Sequence, residues 1–121
     1  MVDSSLAIYP NMHAGVAGRI KFLTRQPSKK VRKFFLKYQD RLLFGTDLTI
    51  ETWENAQAPK TTEENERFQT KTRERYYRDW DYLTSDGTVD YDGYQTQGLN
   101  LPTEVLEKFY YKNAQRIIPG L

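Results

Sequence analysis

An α/β fold built on a parallel strand pair is what this 121-residue sequence predicts. Three observations carry that expectation. The small apolar run Met12-His13-Ala14-Gly15-Val16-Ala17 suits a short strand that lets a neighbour pack closely. In Arg41-Leu42-Leu43-Phe44-Gly45-Thr46-Asp47, three large apolar residues follow one another without alternation, as in strands buried on both faces. Between them lies an amphipathic helix pattern. Strand, helix and strand then make a βαβ unit with a right-handed crossover over about residues 17–41.

The elements follow in order. The first apolar segment, Leu6 to Val16, is broken by Pro10-Asn11. Pro27-Ser28 gives a helix start, with Ser28 placed to cap the first-turn amides. Val31, Phe34, Phe35 and Tyr38 recur at i, i+3, i+4, i+7, while Lys29, Lys30, Arg32, Lys33 and Lys37 fill the other face, and the helix ends near Gln39-Asp40. Residues 48–61 read as a loop. Thr62 to Leu83 reads as a charged helix with Glu63 and Glu64 at its dipole-favoured front and a sparse stripe of Phe68, Tyr76, Trp80 and Leu83. Residues 84–100, rich in Asp, Gly, Tyr and Gln, read as irregular. Pro102 opens a closing helix whose apolar face is Val105, Leu106, Phe109, Tyr110, Ala114, Ile117 and Ile118, stopped by Pro119-Gly120.

Composition narrows the chemistry. The 18 Lys and Arg against 16 Asp and Glu leave a formal charge of +2, which argues against a phosphate-neutralising nucleic-acid binder or an anionic membrane surface. No cysteine is present, which removes disulfides, thiolate metal sites and a cysteine nucleophile. One histidine removes any self-contained site of two or three imidazoles. No secretory leader or apolar membrane span is visible, so the expectation is a cytoplasmic protein. Seventeen aromatic residues supply ample surface for a core.

Asp47 is the leading candidate for chemistry. A carboxylate just past the carboxyl end of a buried parallel strand lies where α/β folds place ligands, and Gly45 would let a substrate or metal approach the backbone. Taken alone, the same pattern also describes an Asp that only shapes the turn. His13 lacks a partner at metal-ligand spacing, and Arg19 and Arg25 follow the first strand as candidate anion contacts. Asp79, Asp81, Asp86, Asp90 and Asp92 do not fit a calcium loop, because aligning Gly93 leaves Thr88 and Leu99 at ligand positions. They read as a solvated acidic loop.

The order of segments resembles a known family. Leu43-Phe44-Gly45-Thr46-Asp47 is similar to the eighth-strand motif of the metal-dependent TIM-barrel hydrolases of the amidohydrolase superfamily, of the aminocarboxymuconate-semialdehyde decarboxylase type. Arg25-Gln26-Pro27 and Val31 to Arg41 resemble that family's seventh helix. Gly98 to Lys108 with Asn113-Ala114-Gln115-Arg116 resembles its closing helix. The resemblance implies residues 1–121 as the C-terminal portion of one (β/α)8 barrel domain, with 48–100 an insertion before the closing helix 102–118. It implies a hydrolase or decarboxylating lyase acting on a small organic molecule. Asp47 inherits the role of metal ligand or acid–base group on metal-bound water, with zinc the expected ion, and Arg19 is a candidate substrate contact. The family's His-x-His pair and later histidine have no counterpart here, so the chain by itself is expected to be inactive and to need the other half of its barrel or self-association. The competing expectation is a non-catalytic interaction module that homodimerises or docks on a partner through exposed strand edges.

Overall fold

The computed structural model describes residues 2–48 and 61–121. The loop expected over residues 48–61 therefore lies, apart from its two end residues, outside the described residues. Helix α1 (Val2–Ile8) precedes strand β1 (Ala14–Gly15), and the short α2 (Ile20–Leu23) leads into α3 (Ser28–Lys37) and strand β2 (Leu42–Leu43). Then come α4 (Thr62–Thr84), β3 (Thr88–Tyr91), β4 (Tyr94–Gln97) and α5 (Thr103–Glu107). A π-helical segment, Lys108–Lys112, joins α5 to α6 (Asn113–Ile117).

β1 and β2 pair in parallel, Ala14 opposite Leu42 and Gly15 opposite Leu43. The Ala14 N–H donates to Arg41 O at 2.9 Å and the Val16 N–H to Leu43 O at 2.8 Å. The strands expected over 12–17 and 41–47 thus contract to two residues each. Backbone alternation in a parallel ladder turns the groups of Leu42 and Phe44 away from β1. The closing helix meets them there: the Phe44 N–H donates to Phe109 O at 2.9 Å, and Asn113 Nδ2 donates to Leu42 O at 2.9 Å. The π-segment makes this fit. The Asn113 N–H reaches back five residues to Lys108 O, so Phe109 O is not its partner and is open to Phe44. The added residue also rotates the helix face, so that Asn113, only 2% exposed, enters the core where Ala114 was expected.

The core lies between α3, β2 and the closing helix. Val31 and Phe35 of α3 and Tyr38 at its C-cap are buried with Leu42, Leu99, Val105, Leu106 and Phe109, and Phe35 meets Phe109 edge-on with centroids 5.2 Å apart. Leu6 brings α1 onto the same core, and Arg41 fastens its end by donating to Leu6 O at 2.9 Å and Tyr9 O at 3.0 Å. From α4 the buried residues are Asp79, Tyr82 and Leu83. The expected stripe fails at Phe68 and Trp80, which are 51% and 45% exposed.

Two local expectations are corrected, and the helix expected from Thr62 to Leu83 is present as α4. Ser28 is the first helical residue of α3 and caps nothing; its hydroxyl donates to Gln97 O at 2.7 Å instead, and Pro27 takes the cap position. Residues 84–100 contain an antiparallel hairpin, β3 with β4, closed at Asp92-Gly93 with φ of 52° and 79°. Both residues are left-handed, which is what a tight hairpin turn demands and what Asp-Gly supplies. And α4 begins at a Thr61–Glu64 capping box, with Glu64 N donating to Thr61 Oγ1 at 3.1 Å and Thr61 N to Glu64 Oε2 at 2.9 Å. No helix among the described residues is long and apolar enough to cross a membrane.

Candidate functional site

The loops that leave the carboxyl ends of β1 and β2 lie against each other. Gly45 is needed here because a Cβ on it would sit 2.9 Å from Ala17 Cβ. The close approach that Gly45 permits is therefore made by the chain itself. Gly18 has φ +61°, and a Cβ there would come within 2.9 Å of Asp47 Oδ2 and 3.3 Å of Arg75 Nη2. Asp47 is also left-handed, φ 51°, and its side chain is exposed.

Helix α4 brings a second layer of side chains across this rim. Arg75, Arg78 and Asp79 lie at i, i+3 and i+4, on one helical face with Tyr82 at i+7. Arg75 Nη2 donates to Thr46 O at 2.8 Å, which fixes the backbone directly before Asp47. Arg78 Nη1 pairs with Asp92 Oδ1 at 2.6 Å, and its guanidinium carbon is 5.8 Å from the Tyr91 ring centre. Its Nε is buried and has no hydrogen-bond partner among the described residues. The Asp79 carboxylate is 6% exposed and accepts from the Tyr91 hydroxyl at 2.5 Å. With Gly18, Ile20 and Lys21 these groups line an open cavity of about 270 Å³.

Burial pushes the Asp79 carboxyl above its ordinary value, opposed by the Tyr91 hydrogen bond and the charges of Arg75 and Arg78. The Tyr91 hydroxyl is pushed upward by burial first and by Asp79 second. Asp79 is thus no part of a solvated acidic loop, as its sequence neighbours suggested. It is a buried acceptor that ties the β3–β4 hairpin to α4.

The residues singled out from sequence are not all gathered here. Asp47 lies at the rim, but Arg19 does not line the cavity; it is exposed at the start of α2 with its guanidinium carbon 6.0 Å from the Phe22 ring centre. His13 precedes β1, at the opposite end of the strand from Asp47. Arg25 lies over the Tyr94 ring at 4.0 Å, on the hairpin. Sequence reasoning missed Arg75, Arg78, Asp79 and Tyr91, although the i, i+3, i+4 spacing of the first three was open to inspection.

The fit to a metal ion can be judged from the donors present. Among the described residues no group of three His, Cys, Asp or Glu converges. Asp79 is committed to Tyr91 and Asp92 to Arg78, which leaves Asp47 as a single carboxylate where a zinc-type ion takes three or four protein ligands. The described side chains do not by themselves fit such an ion. No family model, curated protein or solved structure matches the sequence.

Proposed function

We propose that the chain is the closing portion of a metal-dependent (β/α)8 hydrolase or decarboxylase, with Asp47 as its contribution to the reaction centre and the remaining ligands supplied from outside these residues. The single observation that carries the reading is the placement of Asp47: an exposed carboxylate at the carboxyl end of a parallel pair, in a left-handed backbone conformation that a non-glycine residue adopts at a cost. Two further features support it. The groups of Gly15 turn away from β2 by ladder alternation, an outer edge suited to another parallel strand. The cavity beside Asp47 mixes Lys21, Arg75 and Arg78 with hydroxyl and carboxylate groups, a lining suited to a small polar organic substrate.

The test starts with the coding sequence around this chain. A segment bearing a His-x-His strand, joined or added to the chain, is expected to yield zinc binding at micromolar affinity or better, weakened at least tenfold by Asp47→Ala. Zinc affinity that ignores Asp47→Ala overturns the assignment.

A second reading has its own supporting observation. The β2 edge that the first barrel strand would occupy is bound by Asn113 and Phe109 O. That favours a non-catalytic interaction module, closed on this side by its own helix. A monomer that unfolds cooperatively in isolation and shows no gain on adding the histidine-bearing segment supports this reading over the first.

A further inference from the structure

The formal charge of +2 averages two unlike parts of the chain. Residues 2–48 carry nine Lys and Arg against three Asp, whereas residues 61–121 carry eight against eleven Asp and Glu. Helix α3 gathers five of the nine. Lys29, Lys30, Lys33 and Lys37 are exposed and Arg32 is half-buried, while Val31 and Phe35 hold the opposite face in the core. Lys29, Lys33 and Lys37 follow at i, i+4 and i+8, a row with steps of about 6 Å along the axis, and Lys30 and Arg32 flank it.

The fold carries this row at a cost. Like charges four apart on a helix repel, and Lys29 and Lys30 stand in the first turn, where the helix dipole disfavours cations. Among the described residues only Lys37 meets a carboxylate, Asp3 at 3.4 Å, and both side chains are more than half exposed. Lys29, Lys30, Arg32 and Lys33 form no ion pair with a described residue.

We infer that the outer face of α3 is an electrostatic docking surface for an anionic lipid bilayer. The side chains decide the occupant. A protein partner needs apolar surface to bury, and the shallow trough between the lysine stems offers only Leu36. A nucleic-acid strand is held by forked arginines and by aromatic rings that stack on its bases. The row carries no aromatic residue, and Arg32, its one arginine, donates from Nη2 to Asn100 O at 3.5 Å. Flexible ammonium groups in a straight row need only a plane of mobile negative charge, where each is worth roughly fivefold in affinity. A Debye length of ~8 Å makes this local row the relevant charge, so the whole-chain balance that argued against such a surface is the wrong measure. The inference is independent of the function proposed for Asp47.

Co-sedimentation of the whole chain with vesicles tests it, with far-UV circular dichroism as the check on folding. Vesicles of about 30 mol % phosphatidylserine in phosphatidylcholine are expected to bind at least ~tenfold more tightly than phosphatidylcholine alone, and less as KCl rises from about 50 to 300 mM. Lys29→Gln combined with Lys33→Gln removes two mutually repelling charges and is expected to weaken binding roughly 25-fold with the helix content unchanged. Lys71→Gln combined with Arg73→Gln makes the same change in net charge on the exposed part of α4 and is expected to stay within about threefold of the parent. No preference for the anionic vesicles at low salt overturns the inference, as does an equal loss from the two double variants. A short DNA duplex bound more tightly than the vesicles assigns the row to nucleic acid and overturns it too.

Discussion

Asn113→Asp is the sharpest probe of how the closing helix holds the strand pair. The change is isosteric, so it opens no cavity; it only exchanges an amide donor for an oxygen. Asn113 Nδ2 donates to Gln39 O at 2.7 Å and to Leu42 O at 2.9 Å, from a side chain 2% exposed. Losing a donor costs roughly 1–3 kcal/mol for each buried carbonyl left unmatched, and a carboxylate facing two carbonyls adds repulsion. A loss of about 3 kcal/mol is a large part of the ~5–15 kcal/mol that a domain of this size has in total. In urea that moves the midpoint by roughly 1–2 M, read from tryptophan fluorescence. The pH dependence supplies a second signature. Burial raises the folded-state pKa of the introduced carboxyl, and its protonated form regains a donor; the deficit is therefore greatest at neutral pH and shrinks as pH falls through that raised value. A variant within 0.5 kcal/mol of the parent at pH 7 would refute the claim that these two bonds join helix and strand.

Three further expectations concern the rim and its supports. Asp79 has a folded-state pKa raised above 3.8, so its ionisation disfavours the fold as pH rises from about 4 through the raised value, and the penalty is constant above it. Asp79→Asn should therefore lack that decline in melting temperature between pH 3.5 and 7, and a pH-independent difference from the parent would contradict the burial of this charge. Tyr91→Phe keeps the ring but strips Asp79 of its donor, an expected loss of about 1–3 kcal/mol in urea denaturation; no loss would mean that the 2.5 Å bond is dispensable. Asp47→Gly relieves a left-handed residue whose side chain is exposed, and should stabilise by up to about 1 kcal/mol, whereas Gly18→Ala creates both a left-handed alanine and a contact with Asp47, and should destabilise by about 1–3 kcal/mol. Melting temperatures that rank these two in the opposite order would remove the argument that Asp47 is held against backbone preference.

Local periodicity was legible and tertiary exceptions to it were not. Val31, Phe34, Phe35 and Tyr38 gave α3 its face, and two of the apolar neighbours in Leu42-Leu43-Phe44 proved to form the ladder with Ala14 and Gly15. The start of α4 follows from Thr61 and Glu64, a signature that stood in the sequence beside the dipole argument that was made instead. The hairpin was equally available in Asp92-Gly93, but its strands carry Asp90, Gln95 and Gln97 and lack the apolar alternation that marks a half-buried strand. Other features had no local signal. Ser28 is drawn from capping by Gln97, 69 residues away, and Thr46 is held by Arg75, 29 residues away. Asn113 replaces Ala114 in the core because the helix takes an extra residue per turn just before it, and periodicity at 3.6 cannot anticipate a π-segment.

The site reading depends on a difference between backbone and side chain at Asp47. On one side Ala17 fills the space that Gly45 leaves, on another Arg75 holds Thr46 O, and behind both Phe109 O takes the Phe44 amide. Three consecutive residues before Asp47 are therefore fixed by three different parts of the chain, while the Asp47 side chain itself stays exposed. A turn that needed Asp only for its shape would be served as well by glycine at a left-handed position, and would not call for anchoring from α4 and the closing helix. A carboxylate that must meet a reacting group needs this combination, because positioning within about half an ångström comes from a rigid support and the reacting oxygens must remain uncovered. The backbone conformation of one residue, more than the resemblance of four letters around it, is what gives the catalytic proposal its physical content.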